Sequence, residues 1–347
     1  MTLTTEFERV TLDLARPFGI SRGTVSETEN LLVRVRDDSG RVGLGAAAPS
    51  AHYGETAATV EAVLPDLLAV VEDVGDPTRR ERIEREMRAV VRDNPAARAA
   101  VSIAVHDLAA KRLDVPLYEL WGLDPNRAPQ TSFTVALADT ETMREAAADA
   151  VSRGHDVLKV KLGTDRDREV VEAVRAAAPD VTLRVDANEA WTPREAVSKT
   201  AWLADHDVQF VEQPVPAEHP DGMGFVRDHG HLPVAADESC VTLADVPEVA
   251  EIADVAVLKL MKCGGLREAR EMVAACRAHG LEIMLGCMVE SAASIAAAAN
   301  LAPLVDYADL DGALLLADGT DPVSGVPMPG GDIDLSGVER GTSAVER

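Results

Sequence analysis

The chain has 347 residues, with 59 acidic and 34 basic side chains, a formal net charge of -25, 46% apolar residues and 27% charged ones. That length suits one large domain or two ordinary ones, and the apolar share can build a sizeable core, which excludes a disordered, collagen-like or disulfide-stapled chain. The acidity argues against nucleic acid or an anionic membrane as partner, because the mean field repels phosphate.

The first elements read as strands. Residues 2–15 and 30–36 alternate apolar and polar, and Asp37-Asp38-Ser39-Gly40 forms a turn into a second hairpin arm at 41–46. Three helical patterns follow at 55–71, 77–92 and 95–113, and Asp124-Pro125-Asn126-Arg127-Ala128-Pro129 reads as a linker. From Gln130 a short apolar run, a turn and an amphipathic helix repeat. The runs lie at 132–137, 157–162, 182–185, 208–211, 234–236, 255–260, 282–286 and 307–310. Alternation at this period predicts a parallel (β/α) barrel. An open doubly wound sheet is the rival, but the loop after the first run reads Ala138-Asp139-Thr140-Glu141, without glycine. Gly43-Leu44-Gly45 lacks a third glycine and reads as a turn within a hairpin.

No apolar run approaches the roughly 18 residues of a membrane span, and the N-terminus has no basic-then-apolar leader, so a cytoplasmic protein is expected. Cys240, Cys263, Cys276 and Cys287 are spaced for neither disulfides nor zinc and read as buried thiols. Of the 34 basic residues only Lys111, Lys159, Lys161, Lys199, Lys259 and Lys262 are lysines. An acidic, lysine-poor surface fits a protein working in high salt, where a short Debye length removes self-repulsion. It also makes the lysine clusters inside apolar runs conspicuous.

Barrel strands carry their chemistry at their C-terminal ends. Asp186, Glu212 and Asp237 end three successive runs, one βα unit apart. As single residues they would be helix N-caps, but in register they put three carboxylates at one level. These cannot all stay ionised without a cation between them. All-oxygen ligation suits Mg²⁺, with Mn²⁺ as a substitute. Lys159 and Lys161, two apart, point to the same side of their strand. Mutual repulsion and the cation should depress their pKa values and make a usable base. Lys259 lies four strands on, across the mouth from Lys161.

The set Lys-x-Lys, Asp-Ala-Asn, Glu-Gln-Pro, Ala-Asp-Glu-Ser and Leu-Lys-Leu before Gly-Gly resembles the enolase superfamily, in its muconate-lactonizing-enzyme subgroup. The resemblance implies an α/β fold, an enolase-like (β/α)₇β barrel at 126–319, behind an α+β capping domain at 1–125 completed by 320–347. Asp309-Leu310-Asp311-Gly312 resembles the Asp-x-Asp signature of dipeptide epimerases of that subgroup. By resemblance, Asp186, Glu212 and Asp237 would bind Mg²⁺, and Lys161 and Lys259 would be the acid/base pair, with Lys159 tuning Lys161. Asp309 and Asp311 would bind the substrate ammonium. Lys262, against the Gly-Gly turn, reads only as a neighbour.

The implied reaction is 1,1-proton transfer at the α-carbon of a dipeptide's C-terminal residue through a metal-stabilised enediolate. An N-acylamino acid racemase, a lyase of the subgroup (muconate cycloisomerase or o-succinylbenzoate synthase) and a non-catalytic binding barrel are the alternatives. Two loops, 18–24 and 49–55, are expected over the mouth. Arg22 stands where glutamate-specific relatives carry an arginine for the substrate's side chain. Asn188, Cys287, Met288 and Glu290 are candidate substrate contacts, and His52 and Tyr53 would line the second loop. A homo-oligomer is compatible with all of this.

Overall fold

A computed structural model describes residues 2–347. Its N-terminal unit opens with an antiparallel sheet, β1 (Leu3–Ile20), β2 (Gly23–Asp37) and β3 (Val42–Ala47), in that order. β1 and β2 run further than the alternation indicated. Pairing resumes at Phe18↔Val25 after an irregularity and continues to Ile20↔Gly23. The expected loop at 18–24 is therefore the end of a long hairpin. Its flanks there carry exposed polar residues, so the pattern that marks a half-buried strand is missing.

Helices α1 (Ala57–Val74) and α3 (Pro95–Leu113) pack on this sheet, and α2 (Arg80–Val90) packs against those two helices. Helix α3 is buried on nearly all sides, which its alanine-rich sequence permits. Gly43 and Gly45 lie inside β3 and not in a turn, correcting the sequence reading. A Cβ at either would stand 2.0–2.1 Å from a carbonyl oxygen of α3, so the glycines let helix and strand meet backbone to backbone.

The eight predicted runs form one parallel sheet: β4 (Phe133–Val135), β5 (Val157–Lys161), β6 (Thr182–Asp186), β7 (Val208–Glu212), β8 (Val234–Ala236), β9 (Val255–Lys259), β10 (Glu282–Gly286) and β11 (Tyr307–Asp309). A Thr131↔Ala308 bridge joins the two ends and closes it. Outward residues such as Leu158, Val160, Leu183 and Val185 join the large core under the helices. Phe210, Ala235, Val255, Val257 and Met284 form a separate core inside, with Tyr307 packed on it. The barrel is thus plugged below its mouth.

The last residues return to the N-terminal unit. β12 (Val323–Ser324) pairs with β13 (Val345–Glu346), Gly341 bridges Pro116, and Asp107 on α3 accepts from Thr342. Among the described residues no helix is long and apolar enough to cross a membrane.

Candidate active site

Register builds the site. Lys161 pairs with Asp186, Asp186 with Glu212, Gly286 with Lys259 and Gly286 with Asp309 across neighbouring strands, so one inward layer carries charge at the C-terminal ends. Gly286 has a steric reason: a Cβ there would lie 3.1 Å from Lys259 Cε. The layer lines a cavity of about 150 Å³, shared by Lys159, Lys161, Lys259, Asp237, Asp309 and Asp311 with both rim segments. A larger recess of about 500 Å³ near Lys111 and Arg340 has no such convergence. Lys111 there is satisfied by Asp107 and two carbonyls.

All three lysines of the layer are buried and all meet carboxylates. Lys159 Nζ donates to Glu212 Oε1 at 2.9 Å and Asp309 Oδ2 at 2.8 Å, and lies 3.1 Å from Asp186 Oδ2. Lys161 donates to Asp186 Oδ2 at 2.6 Å and Lys259 to Asp237 Oδ2 at 2.7 Å. Burial opposes the charge on Lys159 and Lys259, but the surrounding carboxylates outweigh it and raise both pKa values. With no metal cation among these acids, Lys159 is raised and not depressed: like-charge repulsion between neighbouring lysines is outweighed because acids outnumber them.

The acids divide. Burial pushes Asp186 and Asp237 up, yet their lysines hold both below the ordinary carboxylate range. Burial and the nearby Asp186 push Glu212 up to about 8. Asp309 is held low, against burial, by Lys159, whereas burial and Asp309 raise Asp311 to about 7. Asp309 also accepts from Ser132, and Asp311 accepts the Thr134 N–H at 2.6 Å.

Oxygen donors here fit a hard divalent cation. Glu212 Oε2, Glu238 Oε2 and Asn188 Oδ1 are buried acceptors without a hydrogen-bond partner, although Glu212 Oε2 lies 2.8 Å from the Lys159 ammonium. Without a cation, Glu212 would hold a proton near neutral pH. A second group, His52, Glu189 and Glu238, has potential ligand atoms within 4.8 Å of one another. Arg22 already serves its two carboxylates, at 2.9 and 2.8 Å.

Several supporting residues were not assigned from sequence. Lys262, read as a neighbour, is buried and donates to Asp237 Oδ1 at 2.6 Å, the Asp237 carbonyl at 2.6 Å and the Val257 carbonyl at 2.9 Å. Gln213 accepts the Asp237 and Ser239 N–H groups and so ties the end of β7 to that of β8. Glu189 and Glu238 meet the hairpin. The scarcity of lysine flagged Lys262, and Glu-Gln-Pro and Asp-Glu-Ser contain Gln213 and Glu238, but no spacing reveals their partners. Cys287 and Met288 line the cavity, and Cys287 accepts the Gly312 N–H at 3.3 Å. Glu290 is buried behind them, accepts the Met288 N–H and is pushed by burial to about 7. Tyr53 lines the cavity from the 49–55 segment, which contains a single 3₁₀ turn, Ala51–Tyr53.

Comparison with known proteins identifies the family. Residues 3–122 match the mandelate racemase/muconate lactonizing enzyme N-terminal domain, and residues 142–329 match the enolase C-terminal domain-like family. The L-Ala-D/L-Glu epimerase of Bacteroides thetaiotaomicron is 37% identical over 94% of this chain and 83% of its own length. The hydrophobic dipeptide epimerase of Roseobacter litoralis is 37% identical over 94% of each chain. The dipeptide epimerase of Enterococcus faecalis V583, crystallised with Mg and L-Leu-L-Tyr, superposes with a TM-score of 0.93 at 33% identity over all of both chains. The chain belongs to the enolase superfamily, in its mandelate racemase/muconate lactonizing enzyme family.

Proposed function

We propose that this protein is a Mg²⁺-dependent dipeptide epimerase that moves a proton from one face to the other of the C-terminal residue's α-carbon. The observation that carries the reading is the placement of Lys161 and Lys259. They end β5 and β9, four strands apart in a closed eight-stranded sheet, and both line one cavity. A carbon between them has a proton acceptor on one face and a donor on the other.

Asp186, Glu212 and Asp237 would hold Mg²⁺, and Mn²⁺ suits the same donors. When bound, the metal supplies Lewis-acid stabilisation of the negative charge that builds on the substrate carboxylate as it becomes an enediolate. Lys161 and Lys259 exchange roles as base and acid with the direction of reaction. Lys159, held by three carboxylates, keeps a fixed positive charge behind Lys161. Asp309 and Asp311 would take the free α-ammonium. Asp311 has no ion pair among the described residues, so a substrate cation would relieve it.

This last point favours a dipeptide over an N-acylamino acid, which brings no ammonium, and the pair of opposed lysines favours epimerisation over a lyase that needs one. We read 1–125 with 320–347 as the capping domain and 126–319 as the barrel. The Gly341 bridge, the Thr342–Asp107 contact and the Arg34–Glu346 ion pair support that division. Four free cysteines support a reducing, cytoplasmic setting, and the acidic, lysine-poor composition supports work in high salt.

The test is deuterium uptake from D₂O into L,L-dipeptides with Mg²⁺ in molar KCl, read by mass spectrometry. Exchange at the C-terminal α-carbon is expected. Lys161→Ala and Lys259→Ala should each lower it about 10²- to 10⁴-fold, the usual share of a positioned acid or base. Exchange that survives both substitutions would overturn the assignment.

A further inference from the structure

The hairpin tip between β1 and β2 reaches the rim of the mouth and is held by contacts that use up Arg22. Its Nη2 donates to Glu238 Oε1 at 2.8 Å, and its Nη1 donates to Glu189 Oε2 at 2.9 Å and to the Asn188 carbonyl at 3.2 Å. Ser21 Oγ donates to that carbonyl at 3.0 Å. The receiving turn after β6 is strained: Asn188 and Glu189 have φ of 42° and 69°, a conformation non-glycine residues hold only where surroundings impose it. His52, from the other rim segment, comes within 3.5 Å of the same Glu189 carboxylate. Gly19 lets the hairpin press down. A Cβ there would stand 2.2 Å from the Leu137 carbonyl oxygen, and Leu137 N–H donates to the Gly19 carbonyl at 2.8 Å.

The four cations lining the cavity, Arg22, Lys159, Lys161 and Lys259, are thus each opposed by at least one carboxylate. Spare capacity remains on the acidic side, at Glu238 Oε2 and at Asp311. The apolar lining is in the opposite condition: Phe18, Ile20, Met288, Val289 and Leu315 are only half-buried and face the cavity.

We propose that Arg22 is a positioning residue that latches the hairpin over the mouth, and that the site takes dipeptides whose C-terminal side chain is apolar in preference to acidic. This rests on the epimerase reading above and narrows its substrate. Arg22 and its partners stand at the ends of β6 and β8, beside the carboxylates assigned to the metal, so the hairpin meets the C-terminal residue. The N-terminal ammonium lies toward β11. A carboxylate side chain would have to strip Glu189 or Glu238 of its cation or lie among acids without one, and either leaves a buried charge unpaired. An apolar side chain meets half-covered apolar surface.

The experiment compares α-proton exchange in L-Ala-L-Leu and L-Ala-L-Glu, with wild type and Arg22→Met. The leucine peptide should exceed the glutamate peptide in kcat/KM by about tenfold or more, the scale set by leaving a polar group unpaired. Arg22→Met should lower all that react by a common factor, keeping their ratios within about twofold. On the metal-free protein, amide hydrogen exchange should quicken in Arg22→Met at 19–24 and 188–190, which reports the latch without turnover. A glutamate peptide equal to or better than leucine, a loss in Arg22→Met confined to the glutamate peptide, or unchanged protection at the tip overturns the proposal while epimerisation stands. Exchange in no dipeptide, with Mg²⁺ shown to bind, removes the epimerase reading and this inference with it.

Discussion

Phe210 and Glu212 are two residues apart on β7 and both point into the barrel, yet they occupy different environments. Phe210 packs among Val257, Met284 and Tyr307, in a layer where Arg184 lies over the Phe210 and Tyr307 rings and donates to Gln209 and the Ala308 carbonyl. Glu212 sits one pleat higher among Asp186, Asp237 and Lys159, where no charge is diluted by water. The lower layer satisfies itself. The upper layer is balanced only by interlocked ion pairs and has oxygen atoms left over. The pairing of strands that closes the floor therefore also forces the mouth's charges together, and the mouth's excess of acid is what a cation and a substrate ammonium would relieve.

The largest effect expected from breaking this contrast is in the floor. Phe210→Ala removes a side chain 1% exposed and should cost about 3–5 kcal/mol in denaturant unfolding, as large cavities do. A cost below about 1 kcal/mol would mean that the plug does not carry the barrel. Next comes the underside of the mouth. Lys262→Met keeps the bulk of a buried side chain but leaves Asp237 Oδ1 and two carbonyls without their donor. A loss of about 3 kcal/mol in the metal-free protein is expected, since breaking a buried pair strands its partner. An equally stable variant would show that Lys259 alone neutralises Asp237.

The smallest effect is in pH. Glu212 titrates near 8 when folded, above its unfolded value, so the stability it contributes is complete below about 4.5 and is lost as pH rises through about 8. Asp186, Asp237 and Asp309 are held low, so their contribution is present above the ordinary carboxylate range and is lost as pH falls through their folded values. Because a ligating carboxylate must lose its proton, Mg²⁺ affinity should climb up to about tenfold per pH unit below that point and flatten above it. Calorimetry in buffers of different ionisation enthalpy would register the released proton. Affinity flat between pH 6 and 8 would show that Glu212 is ionised without the metal.

Much of the layered design was legible because it follows from period. An inward position two residues before Asp186, Glu212 or Lys259 faces the same way, so the eight runs and their terminal residues could be placed at the mouth before any contact was known. The hairpin tip was not legible: with both faces partly exposed, residues 16–29 have no alternation to read. Nor were Gly43 and Gly45, whose reason is a helix more than 50 residues later in the chain. The raised pKa of Lys159 in the metal-free protein was hidden for a related reason. A sequence shows that two lysines are neighbours, but not that four carboxylates act on Lys159 from other strands.

What the sequence by itself determined is the order of strands and helices, the layer in which each polar strand-end residue lies and the family it belongs to, since all three depend on spacing along the chain. Only the tertiary structure decided the pairing of charges: which acid each lysine meets, that Lys262 supports Asp237, and that Arg22 is bound to Glu189 and Glu238. Those contacts join residues 22 to more than 200 positions apart, and their energies depend on distance and burial, which no local pattern encodes.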